Sequence, residues 1–307
     1  MKQKMEIGLI GLGRMGANMV GRMLAGKKVE VVVWNRSKEP VQKAVKMGAR
    51  AAGSVNDLVA GLKQERRIVW LMLPAGKVTE NFFWQTLALL KEGDIIIDGA
   101  NSHFGDTLRR HREAEAKGVG MLDVGVSGGI IAAPKGYPMM IGGKEEIYNF
   151  CRPVFESVGR EEGFDRVGGP GAGHYVKMVH NAIEYGMMQA IAEGFDLLAK
   201  GRFEELDLNR IAHIWNHGTI ISSFLMEMAG KALEKSSSLD RLRPYVEDTG
   251  EGRWAALEAI EQAIPFVANS YAVNARFMSR DENSMAFRML AAMRHEFGDH
   301  PIKEQEM

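Results

Sequence analysis

Short apolar runs rich in Val and Ile alternate with longer helical stretches up to about residue 170. The runs are EIGLIG (6–11), VEVVVW (29–34), RIVWLML (67–73), DIIID (94–98) and VGMLDVGV (119–126). They are apolar almost throughout rather than at every second residue, which indicates strands buried on both faces of a sheet. Segments long enough for a crossover helix separate the runs, so we expect parallel strands in a doubly wound α/β fold.

The character of the sequence changes after the segment VGGPGAG, residues 167–173. Ala, Met, Leu and Glu at helical spacing replace the β-branched runs, so the second half is predicted to be helical. The polar stretch 234–254 interrupts these helices and predicts a long loop between them. We therefore expect an α/β domain over residues 1–172 and an all-helical domain over residues 173–307.

Composition excludes several classes of protein. The chain has 307 residues, of which 46% are hydrophobic and 25% charged, the ordinary globular balance. Lys and Arg total 39, as do Asp and Glu, so the net charge indicates neither a nucleic acid nor a membrane as partner. A single cysteine, Cys151, allows no intrachain disulfide, and Gly11, Gly13 and Arg14 break the first apolar stretch, unlike a secretory signal. We expect a cytoplasmic protein.

The Gly-rich segment GLGRMG follows the first apolar run and opens a helical stretch over residues 15–24. In that context one glycine forms a tight turn, the next lets backbone N–H groups approach a pyrophosphate, and the last permits close helix packing. Outside that context the pattern would be an incidental turn. We expect a Rossmann-like domain whose dinucleotide contacts are Gly11, Gly13, Arg14, Met15 and Gly16.

The second apolar run ends in Asn35, Arg36 and Ser37. A site selective for NAD commonly has Asp or Glu at this distance, where it binds the ribose hydroxyls, and none is present here. An arginine and a hydroxyl suit a 2′-phosphate instead, so we expect these three residues to bind NADP, with NAD as the alternative cofactor. The other interpretation of Arg36 is a solvated surface side chain.

Small polar residues follow two further runs. Asn101 lies in the segment DGANS, and Ser127, Gly128 and Gly129 lie in VSGG. Ligands of open α/β sheets bind beyond the carboxyl ends of the strands, where Asn101 and Ser127 could donate hydrogen bonds to a carboxylate or to hydroxyl groups. Asn, Ser and Gly are also the usual turn formers, so position alone leaves both interpretations open.

A polar stripe runs along the predicted helix that follows Gly173. At about 100° per residue its members fall within an arc of about 140°, and they are Lys177, His180, Asn181, Glu184 and Tyr185. Its flanks are apolar or small and lack the Lys and Glu that coat a solvated face, which favours a buried acid–base site. His180 and Glu184 have metal-ligand spacing, but no third ligand is recognisable, so we expect no metal.

These segments together resemble one family. GLGRMG, NRS, DGANS, VSGG and GAGHYVKMVHNAIEY occur in this order, as in short members of the 6-phosphogluconate dehydrogenase family, within the β-hydroxyacid dehydrogenases. The resemblance covers nearly the whole chain, and the last segment is highly specific. It implies oxidative decarboxylation of 6-phosphogluconate to ribulose 5-phosphate and CO₂, with reduction of NADP⁺ or NAD⁺, as in gluconate metabolism and the pentose phosphate pathway.

The resemblance also implies residue roles. Lys177 would be the general base, with a pKa well below its ordinary value, and Glu184 the general acid. The predicted substrate contacts are Asn101 (also beside the cofactor), Ser127, Gly128, Gly129, His180 and Asn181 for the sugar acid, Tyr185 and Arg276 for its phosphate, and Arg294 and His300 from RHEFGDH. Because the RHEFGDH segment reaches into the partner's site in long members, a homodimer or homotetramer with a shared site is expected, with the helical domain binding substrate and forming the oligomer.

Two other functions remain open at the level of sequence. A dehydrogenase of the 3-hydroxyisobutyrate type shares the fold, the VSGG segment and the lysine, but it usually lacks the continuation seen here as His180, Asn181, Glu184 and Tyr185. A non-catalytic NADP-binding protein could keep the fold alone, because fold does not prove function. Such a protein has no need of an acid and a base together.

Overall fold

The computed structural model describes residues 4–298, 301 and 303. The chain divides into two compact units, Met1–His180 and Asn181–Met307. Within the described residues, no helix is long and apolar enough to cross a membrane.

The described residues of the first unit form a sheet of eight strands. They are β1 (Met5–Ile10), β2 (Val29–Trp34), β3 (Arg50–Ala51), β4 (Ile68–Leu71), β5 (Ile95–Asp98), β6 (Gly120–Val126), β7 (Tyr137–Gly143) and β8 (Gly159–Gly168). Their order is β3-β2-β1-β4-β5-β6-β7-β8. The strands from β3 to β6 in this order are parallel, β7 is antiparallel to β6, and β8 is parallel to β7.

Helices cover both faces of this sheet. They are α1 (Arg14–Ala25), α2 (Lys38–Lys46), α3 (Val55–Ala60), α4 (Lys77–Leu89), α5 (Phe104–Ala116) and α6 (Glu145–Val158). One apolar cluster joins the sheet to α1 and α6, and a second joins it to α3, α4 and α5. Every residue of β4 and β5 is buried as a result. The predicted doubly wound, Rossmann-like fold is confirmed.

All five predicted strands are present, and three others were not predicted. The strand β3 has only two residues, β7 contains Pro138 and two glycines, and β8 carries charged residues along an exposed edge. Only ten residues, 127–136, join β6 to β7. A parallel return needs a crossover of a dozen residues or more, so this short connection forces an antiparallel pair.

The helical second half is also confirmed. The helices are α7 (Ala172–Lys200), which begins in the first unit, and α8 (Leu208–Trp215), α9 (Phe224–Lys235), α10 (Glu251–Glu261), α11 (Val267–Met278) and α12 (Met285–Gly298). The predicted loop 234–254 is shorter than expected, because α9 continues to Lys235 and α10 starts at Glu251. Gly250, in a left-handed conformation with φ of 109°, turns the chain into α10.

Candidate active site

The Gly-rich loop after β1 contains three glycines with different surroundings. A side chain at Gly11, whose φ is 103°, would clash with the carbonyl oxygen of Met72, and one at Gly16 would clash with the carbonyl of Gly11. A Cβ at Gly13 would meet no atom within 4 Å. Gly11 and Gly16 thus allow the loop to pack closely, whereas Gly13 leaves open space above the backbone.

The N-terminus of α1 lies at this open space. Gly13 is the N-cap and offers no side-chain cap, and the first turn has no acidic residue. The first N–H groups of a helix have no acceptor inside the helix and lie at the positive end of its dipole. The N–H groups at Arg14, Met15 and Gly16 therefore suit a pyrophosphate, and the loop fits the dinucleotide predicted from the sequence.

Asn35 joins this loop to the end of β2. Its Oδ1 accepts a hydrogen bond from the N–H of Leu12 at 2.9 Å, and its Nδ2 donates to the carbonyl of Ser37 at 3.1 Å. The side chain of Asn35 thus braces two loops, while Arg36 and Ser37 are exposed. Contact of these three residues with a cofactor stays a prediction.

A buried ion pair holds the loop after β5. One carboxylate oxygen of Asp98 accepts from Arg110 at 2.9 Å, and the other accepts from the N–H of Ala100 at 3.0 Å. Asp98 is 0% and Arg110 1% exposed. This carboxylate therefore fixes the turn that presents Asn101, which is exposed.

Glu80 extends this pair toward the surface. Its carboxylate accepts two hydrogen bonds from Arg109, at 2.7 and 2.8 Å, and one from Arg110 at 3.2 Å. The hydrogen bonds from Arg109 lower the pKa of Glu80 to about 2, although burial acts in the opposite direction. Glu80 is thus ionised at neutral pH, and its negative charge faces the two guanidinium groups.

Lys177, His180 and Ser127 form a cluster at the carboxyl end of β6. The Nζ of Lys177 lies 3.4 Å from Nδ1 of His180, and Nε2 of His180 lies 3.4 Å from Oγ of Ser127. Such long separations are common where a hydrogen bond tightens only on substrate binding. Lys177 is only 8% exposed. A side chain at Gly125 would clash with Cβ of Lys177, so this glycine lets α7 lie directly against β6.

The second unit contains a further part of the polar stripe. Tyr185 is 6% exposed, and its hydroxyl lies 3.2 Å from Oγ1 of Thr249. The guanidinium of Arg276 stacks on the Tyr185 ring, 3.4 Å from its centroid, and donates to the carbonyl of Glu247 at 2.8 Å. Tyr185 and Arg276, both predicted as phosphate contacts, are therefore neighbours.

The polar stripe on α7 is buried or half-buried, as predicted from the apolar residues that flank it. Two residues of the apolar face of α7 are more exposed than the stripe. Lys177 and Tyr185 are buried, and the remaining members are half-buried. By contrast, Ile183 and Met187 are 48% and 43% exposed. In the single chain these two apolar side chains of α7 are thus accessible to solvent, unlike the apolar face of an ordinary surface helix.

The remaining predicted residues are less constrained. Gly128 and Gly129 are exposed in the turn after β6, while Asn181 and Glu184 are half-buried on α7. Arg294 is exposed on α12, and none of the described contacts joins it to Tyr185 or Arg276. His300 lies outside the described residues. No three His, Cys, Asp or Glu side chains gather as a metal site within the described ranges.

Several residues that shape this site were missed from the sequence. Asp98 and Asp123 are both wholly buried, the first at the carboxyl end of β5 and the second in the middle of β6. Arg22 on α1 donates to the carbonyls of Ala133 and Pro134, in the loop after Ser127. The two aspartates had a signal, since an acid inside an apolar β run requires buried partners. Arg22 had none, because its acceptors are distant backbone atoms.

Comparison with known proteins identifies the family. A family model described as the NAD binding domain of 6-phosphogluconate dehydrogenase matches residues 6–169, and one described as the 6-phosphogluconate dehydrogenase C-terminal domain matches residues 173–306. The chain belongs to the 6-phosphogluconate dehydrogenase family.

Relatives within the family differ in length. An NAD⁺-dependent, decarboxylating 6-phosphogluconate dehydrogenase of Haloferax volcanii is 41% identical over 98% of this chain and 100% of its own. The decarboxylating enzyme of Candida albicans is 40% identical over 89% of this chain but only 56% of its own. The chain therefore has the length of the short relatives of the family.

Solved structures agree with this assignment. Plasmodium falciparum 6-phosphogluconate dehydrogenase, studied with NADP⁺ and with 6-phosphogluconate, gives a TM-score of 0.82 at 30% identity, covering 98% of this chain and 67% of its own. A Mycobacterium tuberculosis 3-hydroxyisobutyrate dehydrogenase gives 0.73 at 24% identity, covering 91% and 95% of the two chains. The second likeness shows the fold alone.

Replacing Glu80 by Gln should destabilise the protein in a pH-dependent way. The folded-state pKa of about 2 lies below the ordinary value of 4.5, so the carboxylate stabilises the fold above pH 4.5 and loses this effect as the pH falls toward 2. Because the side chain is 26% exposed, we expect a loss of only about 1 kcal/mol at pH 7.

Thermal or urea unfolding from pH 7 to pH 3 checks this, with Glu39→Gln, which removes an exposed pair with Lys43, as the control. The difference in free energy of unfolding between Glu80→Gln and the wild-type protein should become smaller below pH 4.5. A difference that stays constant to pH 3 would show that the ionised carboxylate is not what stabilises the network.

Proposed function

We propose that the chain catalyses the oxidative decarboxylation of 6-phosphogluconate to ribulose 5-phosphate and CO₂, with NAD(P)⁺ as oxidant, as in gluconate metabolism and the pentose phosphate pathway. The observation that carries the proposal is Lys177, a buried amine next to His180 at the carboxyl end of β6. Ligands of such sheets bind at this edge. A relative of matching length bears the name of this activity.

The nicotinamide ring, when bound, supplies the hydride acceptor. Gly13 and the first turn of α1 would hold the pyrophosphate of the dinucleotide through backbone N–H groups, and no acidic side chain in that turn opposes its negative charge. Gly11 shapes this turn and would contact the dinucleotide without donating to it, because its own N–H donates to the carbonyl of Trp34 at 3.0 Å. Asn101, on the loop fixed by Asp98, lies beside both cofactor and substrate in this proposal.

Lys177 acts first as a base. Its neutral Nζ takes the proton of the substrate's C3 hydroxyl while hydride leaves C3, which produces a 3-keto acid. Burial shields this Nζ from bulk water, since Lys177 is only 8% exposed. The ammonium that results then donates to the new C3 carbonyl and draws electrons toward it.

Decarboxylation follows from that polarisation. The bond between the carboxylate and C2 breaks, CO₂ leaves, and the electron pair of that bond forms the C2–C3 double bond. The ammonium of Lys177 gives its proton to the former C3 carbonyl oxygen, which yields the enediol. Glu184 then donates a proton to the carbon that lost CO₂, which becomes C1 of ribulose 5-phosphate, while neutral Lys177 takes the proton of the neighbouring hydroxyl as the ketone forms. Lys177 and Glu184 are separated by two helical turns, so an ideal helix places both on one face, about 10 Å apart along its axis.

The other predicted contacts position the substrate. Ser127, Gly128, Gly129, His180 and Asn181 orient the sugar acid in this proposal, Tyr185 and Arg276 bind its phosphate, and Arg294 and His300 enter from the partner subunit. Stacking of Arg276 on Tyr185 supports the phosphate assignment, since it presents a guanidinium beside a phenol. Two of these side chains are neighbours, since Oγ of Ser127 lies 3.4 Å from Nε2 of His180.

NADP is the preferred cofactor in this proposal, although the Haloferax relative is named for NAD⁺. The end of β2 offers Arg36 and Ser37, both exposed, and has no acid to bind the ribose hydroxyls. A guanidinium at that position would attract the 2′-phosphate of NADP.

A homodimer or homotetramer with a shared site, located in the cytoplasm, is part of the proposal. Large apolar side chains remain exposed in the second unit, including Leu197 at 73%, Ile260 at 75% and Val267 at 80%. These exposed side chains support the proposed interface, because burial of apolar surface stabilises subunit association. The domain boundary after residue 172 is supported by the two family models, which match residues 6–169 and 173–306.

The first test is turnover of the purified protein. With 6-phosphogluconate and NADP⁺ or NAD⁺, reduced cofactor and trapped CO₂ should form in equal amounts, because one hydride and one carboxylate leave each substrate molecule. No product from 6-phosphogluconate with turnover of 3-hydroxyisobutyrate would favour the related dehydrogenase. Inactivity on both acids would favour a non-catalytic NADP-binding protein.

Lys177→Met should lower kcat at least about a hundredfold and leave cofactor affinity within about twofold, because it removes the base but keeps an apolar side chain of similar length. Lys200→Met, at the exposed far end of α7, is the matched control and should keep wild-type turnover. Steady-state kinetics and NADP⁺ titration provide the readouts. Wild-type turnover by Lys177→Met would rule out the base assignment.

Arg36→Glu should weaken NADP⁺ binding far more than NAD⁺ binding, because only NADP⁺ carries the 2′-phosphate. Lys38→Glu makes the same change of charge two residues away and should change both affinities only slightly. KM values for the two cofactors measure the effect. Equal losses for NADP⁺ and NAD⁺ in Arg36→Glu would mean that this arginine does not contact the 2′-phosphate.

A further inference from the structure

Asp123 is a wholly buried carboxylate inside β6 that has no part in the reaction proposed above. One oxygen accepts hydrogen bonds from the N–H of Gly171 at 2.8 Å and from Nε2 of His111 at 2.9 Å, and the other accepts from the N–H of His174 at 2.9 Å. Since a carboxylate only accepts, the His111 proton lies on Nε2. Burial acts to raise the pKa of Asp123, but these donors hold it below its ordinary value.

The two backbone donors belong to the start of α7. Gly171 precedes the helix, and His174 is its third residue, so both N–H groups are among those that a helix cannot satisfy itself. A negative charge at this end also interacts favourably with the helix dipole. Asp123 thus caps α7 from the sheet, in place of a capping residue in the helix itself.

Backbone contacts reinforce this cap. A side chain at Gly173 would clash with the carbonyl oxygens of Asp123 and Met140, and one at Gly142 would clash with the Asp123 carboxylate. The first turn of α7 therefore lies directly on β6 and β7 with no side chain between them. Its position depends on a few hydrogen bonds and hard contacts, which tolerate little displacement.

The imidazole of His174 is held as well. Its Nδ1 lies 2.7 Å from Oγ1 of Thr107 on α5, and the ring is 1% exposed. Both the backbone and the side chain of this residue are thus anchored to neighbouring elements. Lys177 lies three residues after His174, and His180 lies six residues after it. A shift of this turn would therefore move both members of the proposed catalytic cluster.

We propose that Asp123 is a positioning residue for Lys177. By capping α7 through the N–H groups of Gly171 and His174, it places Nζ of Lys177 at the distance from the substrate hydroxyl that proton transfer requires. The inference rests on the proposed role of Lys177 as the base. Misplacement of a catalytic group by about 1 Å can lower a rate about a hundredfold, so the cap controls kcat.

Asp123→Asn tests this inference with almost no change of volume. The amide nitrogen cannot accept a hydrogen bond, so one of the contacts to α7 is lost. We expect kcat to fall about 10- to 100-fold, with the KM for cofactor within about twofold of wild type. Amide hydrogen exchange of the peptide covering residues 171–178 should become faster.

Asp94→Asn is the matched control. Asp94 is also wholly buried and accepts hydrogen bonds from Arg67 and Lys91, but it lies before β5, at the opposite edge of the sheet. Asp94→Asn should destabilise the fold about as much as Asp123→Asn does. Its kcat and its amide hydrogen exchange at residues 171–178 should stay at wild-type values. A similar fall of kcat in both variants, or none in Asp123→Asn, would overturn the positioning role.

Thr107→Val provides a second test if Asp123→Asn does not fold. It keeps the shape of Thr107 but removes the contact with His174, so kcat should fall severalfold as exchange at 171–178 increases. Faster exchange with unchanged kcat would contradict the inference. If the wild-type protein itself shows no turnover, the proposed function is refuted. The exchange data would still show whether Asp123 anchors α7.

Discussion

Burial of the parallel strands on both faces is the constraint on which the first unit depends. The residues of β4 and β5 are all inaccessible to solvent, and separate apolar clusters cover the two faces of the sheet. Polar and charged side chains are therefore absent from these buried strands except where they are paired with a partner. They are concentrated in the loops after the strands, and since β1, β4, β5 and β6 are parallel, these loops lie at one edge.

Three buried aspartates show how such a sheet accommodates charge. Asp94, Asp98 and Asp123 are each 0% exposed, and each accepts hydrogen bonds from both side chains and backbone N–H groups. A carboxylate with several donors can stay ionised at full burial, and it costs far more to remove than an exposed one. Asp98 and Asp123 hold segments that carry proposed site residues, whereas Asp94 holds the opposite edge of the sheet.

The sequence was informative where a local pattern has one physical solution. Continuous apolar runs identified β1, β2, β4, β5 and β6, and helical spacing identified the polar stripe of α7. It was uninformative where a strand depends on its neighbours, as for β7 with its proline and glycines and for the charged edge strand β8. Such strands exist because a partner supplies hydrogen bonds, and that partner is distant in sequence.

The sequence by itself determined the fold class, the Gly-rich loop and the residue types available for acid–base chemistry, because these depend on short-range periodicity and on the covalent nature of each side chain. The tertiary structure alone decided that Asp123 caps α7, that Asp98 pairs with Arg110, and that Gly125 brings β6 against Lys177. Each of these contacts joins atoms that only the folded chain brings within hydrogen-bond or van der Waals distance. The low exposure of Lys177 is likewise a property of the packed protein and not of the residue.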